Sequence, residues 1–98
     1  MSDFDIDTIA EIHRQIRTVL ARSWDPIGLG DDPYALHEYS GYVRGAYDVA
    51  LKTHSPEAVA RHLLNMERER MGLEPRSFSE VLPVGEKIVQ LVSEISEA

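Results

Sequence analysis

The chain has 98 residues, of which 43% are apolar and 28% charged, with no cysteine and a formal charge of −7. That length supports one domain around one core, and the composition is ordinary for a folded globular protein. The absence of cysteine excludes a disulfide framework and a thiolate metal site, while the acidic balance opposes phosphate backbones and anionic lipid and favours a basic protein partner.

The opening residues Met1-Ser2-Asp3-Phe4-Asp5 are acidic and carry neither the basic start nor the apolar run of a signal peptide. No apolar stretch approaches the ~20 residues needed to span a bilayer, so no membrane contact is expected. The reading is of a cytoplasmic protein occupying residues 1–98 as a single helical domain.

Helical spacing of Ile9, Ile12, Ile16, Val19 and Leu20 predicts a first helix over about Asp5–Arg22, with Asp5 or Asp7 at its favourable acidic start. A second helix is expected to begin near Pro33 behind Asp31 or Asp32 as cap, with Leu36, Tyr39, Val43, Ala46, Tyr47 and Ala50 facing inward. Gly41 and Gly45 share one side of it, and close packing of another backbone there is the expected reason. Ser55 as N-cap and Pro56 in the first turn open a third helix, which Gly72 and Pro75 end. Residues 73–83 read as an irregular connection anchored by Phe78. A fourth helix follows Pro83, frayed by Gly85 near its start, with Val84, Ile88, Leu91, Val92 and Ile95 on one stripe. No strand alternation and no internal repeat is present. The fold class is therefore all-α: a single-domain four-helix bundle with an ordered loop between the first two helices.

That loop, Trp24-Asp25-Pro26-Ile27-Gly28-Leu29-Gly30-Asp31-Asp32-Pro33, holds the only tryptophan, two of the five prolines and two of the six glycines. Its prolines stiffen it, and Gly28 and Gly30 are free to take positive φ. Trp24 and Ile27 are expected to pin it to the body, leaving the neighbouring carboxylates and phenols facing outward. Asp25 is expected to accept backbone amides and set the turn.

The histidines His13, His37, His54 and His62 show no helical ligand spacing, and the acids Asp25, Asp31, Asp32 and Glu38 do not follow a calcium-loop pattern, so no metal is assigned. A Ser-elbow motif is absent, and Gly28-Leu29-Gly30 lacks the further glycines and the lysine of a phosphate loop. No cofactor, no nucleic acid and no catalytic residue is assigned. Tyr34 and Tyr42, near His37, Glu38 and Trp24, either form an aromatic-acidic patch suited to a protein partner or fill space between loop and bundle.

Three motifs carry a resemblance: Trp24-Asp25-Pro26-Ile27-Gly28, Glu38-Tyr39-Ser40-Gly41-Tyr42, and Met66-Glu67-Arg68-Glu69-Arg70-Met71-Gly72. Together they make roughly residues 9–72 resemble a family of small bacterial helical proteins of uncharacterised function, some of which look like immunity proteins beside toxins. Members often read Asp-Glu-Tyr-Asp where this chain has His37-Glu38-Tyr39-Ser40, so two acids are absent here. The resemblance implies a helical fold and brings no catalytic residues.

The expected function is that of a non-catalytic protein-binding module, with a basic toxin-like protein as the partner type. The expected contact residues are Trp24, Asp25, Asp31, Asp32, Glu38 and Tyr42. Two other readings stay open: a small-ligand binder or enzyme using the Trp24–Glu38 region with His37 or His13 as base, and a homodimer.

Overall fold

The structure is a computed structural model that describes residues 6–30, 32–74 and 76–96, with Ile95 and Ser96 given by backbone alone. The expectations placed on Asp5, Asp31, Pro75 and the Ile95 side chain lie outside the described residues.

Helix α1 spans Ile6–Val19 and continues into one wider turn over Leu20–Trp24. The Asp25 amide closes that turn onto the Leu20 carbonyl at 2.8 Å, and Asp25 itself sits in the left-handed region at φ 37°. Ile12, Ile16, Leu20, Ala21 and Trp24 are buried along one side, so the apolar stripe runs through the wide turn and delivers the indole to the core.

The second predicted helix forms in two pieces, α2 (Tyr34–Tyr39) and α3 (Val43–Thr53), joined by a tight 3₁₀ turn at Ser40–Tyr42. Its interruption has local causes. Ser40 Oγ donates to the His37 carbonyl at 2.8 Å, competing with the helical ladder, and Gly41 follows with low helix propensity. Most of the expected inner face survives the break: Tyr39, Val43, Ala46, Tyr47 and Ala50 are buried, while Leu36 is only partly buried and Ala35 beside it turns inward. No backbone packs against the two glycines. Gly41 faces open space, and Gly45 receives the ring of His62.

Helix α4 runs Pro56–Glu69, with Ser55 Oγ accepting the Ala58 amide at 3.1 Å as its cap. Gly72 at φ 68° reverses the chain, and the Leu73 amide returns to the Glu67 carbonyl at 2.8 Å. Helix α5 spans Phe78–Ser96 and carries Pro83 inside it. The helix therefore starts before the proline, which corrects the expected irregular connection. Ser77 and Glu80 explain the early start: the Ser77 amide donates to Glu80 Oε1 at 3.0 Å, and the Glu80 amide donates to the Ser77 carbonyl at 3.1 Å. The Ser77 hydroxyl also donates to Glu80 Oε1 at 3.0 Å, so this is the Glu half of a capping box in a Ser-x-x-Glu stretch, closed by a backbone turn. Pro83 then costs one ladder bond near the helix start, where the chain is already nucleated.

Gly85 is the place where two backbones meet. It is buried, and a Cβ added there would run into the Pro56 carbonyl oxygen and lie 3.3 Å from the Ala60 nitrogen. The glycine seats α5 against the first turn of α4, so it builds the bundle instead of fraying its helix. With α2 and α3 counted as one interrupted helix, the four-helix bundle closes over Ile16, Leu20, Trp24, Tyr39, Leu63, Ile88 and Val92. Among the described residues no helix is long and apolar enough to cross a membrane.

Candidate functional site

The segment between α1 and α2 is organised by Asp25. Its Oδ1 accepts the Leu29 amide and the Tyr39 hydroxyl, each at 2.8 Å, and its Oδ2 accepts the Gly30 amide at 2.8 Å. The Tyr39 hydroxyl in turn accepts the Ile27 amide at 3.0 Å. Gly28 and Gly30 supply the positive φ values, 79° and 63°, that let the amides converge. The Arg22 guanidinium donates to the Gly30 carbonyl at 2.9 Å and closes the far side.

Burial alone would push the Asp25 carboxyl up, but the Gly30 and Leu29 amides, the Tyr39 hydroxyl and the Gly28 amide together hold it below the usual aspartate range. The Tyr39 phenol moves the other way, raised by burial and then by its bond to Asp25. A depressed carboxylate contributes stability that is complete above the ordinary aspartate value and disappears as pH falls through the folded value. The urea midpoint of Asp25→Asn is therefore expected to trail the parent clearly at neutral pH. The gap should begin to close as pH falls below about 4 and keep narrowing as pH falls through the depressed folded value. A gap that stays constant across that range would contradict this assignment of charge.

A second hub fixes the other end of the segment. Glu67 on α4 is only 1% exposed, the one charged residue fully buried among those described. Its Oε2 accepts Trp24 Nε1 at 2.8 Å and Arg76 guanidinium at 2.9 Å, while Oε1 accepts the Arg76 amide at 3.1 Å. The carboxylate thus ties the end of α1, the middle of the bundle and the α4–α5 connection together. A buried carboxylate needs such partners, because an unpaired buried charge is strongly disfavoured.

The six residues expected to form a contact face divide accordingly. Trp24, 1% exposed, points inward onto Glu67, and Asp25 spends both oxygens inside the loop, so neither presents its polar atoms outward as expected. Asp32 is exposed, with Oδ1 accepting the Tyr34 amide at 3.0 Å in an Asx turn that leads into α2, whose N-cap is Pro33. Glu38 is half-buried, and its carboxylate near the Tyr34 phenol raises that phenol's pKa. Tyr42 is half-buried edge-on to Trp24 at 5.8 Å between ring centroids, and so packs as much as it presents.

What the loop does present is apolar. Ile27 is 45% exposed and Tyr34 54% exposed, with His37 tilted against the Tyr34 ring at 5.7 Å. Ile27 was expected to anchor the loop; partly buried Leu29 takes that place. Glu67 was not singled out from sequence, although its register with Val59 and Leu63 puts an acid on the inner stripe of α4. Arg76 had no such signal.

The histidines do not meet the description of a catalytic pocket. His37 is exposed on α2, and His13 lines an open cleft between α1 and the 3₁₀ turn beside Arg14 and Arg17. Among the described residues, no three His, Asp or Glu side chains come close enough together to hold a metal ion. No family model, curated protein or solved structure matches the chain.

Proposed function

We propose that this protein is a non-catalytic binding module whose contact face is the 27–42 segment and whose partner is a basic protein. One observation carries the reading. Five side chains (Trp24, Asp25, Tyr39, Glu67 and Arg76) are committed to one another to hold a short loop, and that loop leaves Ile27 and Tyr34 uncovered. A rigid loop that offers an aliphatic and an aromatic side chain beside Asp32 and Glu38 suits protein recognition. Preorganised aromatic anchors lose little entropy on binding, and rim acids select and steer a cationic partner.

The formal charge of −7 supports a basic partner and disfavours self-association through this acidic face. The family resemblance adds the specific form of the proposal: neutralisation of a basic toxin, with binding itself as the activity.

The test is affinity capture from the native cells with the parent chain and with Ile27→Glu/Tyr34→Glu. The parent should retain a basic protein, and the double variant should weaken that binding by about a hundredfold or more, as loss of two anchors implies. Capture that yields no protein, or the same protein with equal affinity for both chains, would overturn the reading. A sedimentation measurement showing a dimer broken by the double substitution would assign the face to a second copy instead.

A further inference from the structure

A second surface, which borders the contact segment at Ser40 but includes neither Ile27 nor Tyr34, has the chemistry of a small-molecule site. An open cleft of about 460 Å³ lies between α1 and the Ser40–Val43 stretch, lined by Ala10, His13, Arg14, Arg17, Ser40 and Val43. Two of these six side chains are arginines and a third is an imidazole, in a protein that is acidic as a whole. They differ in what they already do. Arg14 is neutralised by a two-pronged contact with Glu11, and Ser40 Oγ is committed as donor to the His37 carbonyl. Arg17 has no acidic partner among the described residues, and its Nε is shielded from water without any acceptor. His13 Nε2 is likewise shielded and unpartnered, its ring held edge-on to Tyr47 at 4.7 Å.

Buried polar nitrogens left without partners are uncommon and unfavourable. Here two ring or guanidinium nitrogens on successive turns of α1 border one cleft. The geometry points to a binding site for a small monocarboxylate, its oxygens on the Arg17 guanidinium and His13 Nε2 and its hydrocarbon against Ala10 and Val43. Arg17 is half-buried, so a small rotation of its side chain turns the shielded edge of the guanidinium to an arriving carboxylate. A planar guanidinium matches two carboxylate oxygens. A single unneutralised arginine in a negative field suits a monoanion over a phosphate, which carries more charge and takes more cations.

The probes are sodium benzoate and inorganic phosphate, titrated into ¹⁵N-labelled full chain while backbone amides and the Arg17 Nε–H are followed by NMR. Benzoate should give saturable shifts confined to residues 10–17 and 40–43 and to Arg17 Nε–H, and phosphate should give none that saturate. Arg17→Gln should weaken benzoate by about tenfold or more, and Arg17→Lys by less, with Arg44→Gln on exposed α3 as an unaffected control. Non-saturating or scattered benzoate shifts, equal affinity in Arg17→Gln, or phosphate binding as tightly as benzoate would each overturn the assignment. Because Ile27 and Tyr34 take no part, the Ile27→Glu/Tyr34→Glu chain should bind benzoate normally, so this site and the loop face succeed or fail separately.

Discussion

Replacing Glu67 by alanine is expected to destabilise the protein by about 3 kcal/mol, one of the largest effects of any single polar substitution here. The indole Nε1 of Trp24 loses its acceptor inside the core, which costs about 1–3 kcal/mol for an orphaned buried donor. Arg76 is 33% exposed on its side chain, so its guanidinium regains water and the loss of the ion pair adds less than a sealed pair would. The shortened side chain also leaves unfilled space beside the core. Glu67→Gln separates these contributions. It keeps an oxygen for the indole but loses the charge attraction and sets its NH2 against the Arg76 amide, so a cost of about 2 kcal/mol is expected. Urea unfolding followed by far-ultraviolet circular dichroism measures both variants, and fluorescence of the single tryptophan reports the same site. An alanine variant within about 0.5 kcal/mol of the parent would mean the hub does not hold the loop to the bundle.

The second large effect concerns a glycine pair. Gly85→Ala is expected to lower stability by about 2 kcal/mol, because the new methyl meets the Pro56 carbonyl and forces α5 away from α4. That cost stands after the gain of about 1 kcal/mol in helix propensity that alanine brings. For a domain of this size the shift in thermal midpoint is about 10 °C. Gly41→Ala should do the opposite. Nothing lies within 4 Å of a Cβ there, so a gain of about 0.5 kcal/mol is expected from reduced freedom of the unfolded chain. Thermal unfolding of the two variants side by side decides the matter. A stabilised Gly85→Ala would show that the two helices are not in backbone contact.

These two sites also mark where sequence reading succeeds and where it stops. Helices declare themselves through stripes such as Ile12-Ile16-Leu20 and Val84-Ile88-Val92, because burial of one face needs the same spacing whatever the partner. Caps are equally local, and Ser55 with Pro56 and Gly72 fall where their chemistry requires. The role of Gly85 is not local. Its neighbour, Pro56, is far away in the chain, so nothing beside the glycine distinguishes close packing from fraying. Pro83 misleads for a different reason: the Glu80 carboxylate, holding the Ser77 amide and hydroxyl, outweighs the proline, and a Ser-x-x-Glu signal was present in Ser77-Phe78-Ser79-Glu80.

The loop follows the same division. Positive φ at Gly28 and Gly30 and amide capture by Asp25 follow from residue types alone, although the carboxylate reaches Leu29 and Gly30 and not the nearest amides. The inward turn of Trp24 depends on Glu67, 43 residues away, and no local pattern pairs them. Once tryptophan and Asp25 are drawn into the frame, the outward role passes to Ile27 and Tyr34, the two large side chains of the segment with no internal site left to fill.

Together the Asp25 and Glu67 hubs hold the loop as firmly as the helices it joins. Amide hydrogen exchange at Leu29 and Gly30, both donors to the Asp25 carboxylate, reads this hold. The expected result is protection approaching that of the buried stretches of α4 and α5, reached only through global unfolding. Exchange of those two amides at the rate of an open loop, while α4 and α5 stay protected, would contradict it.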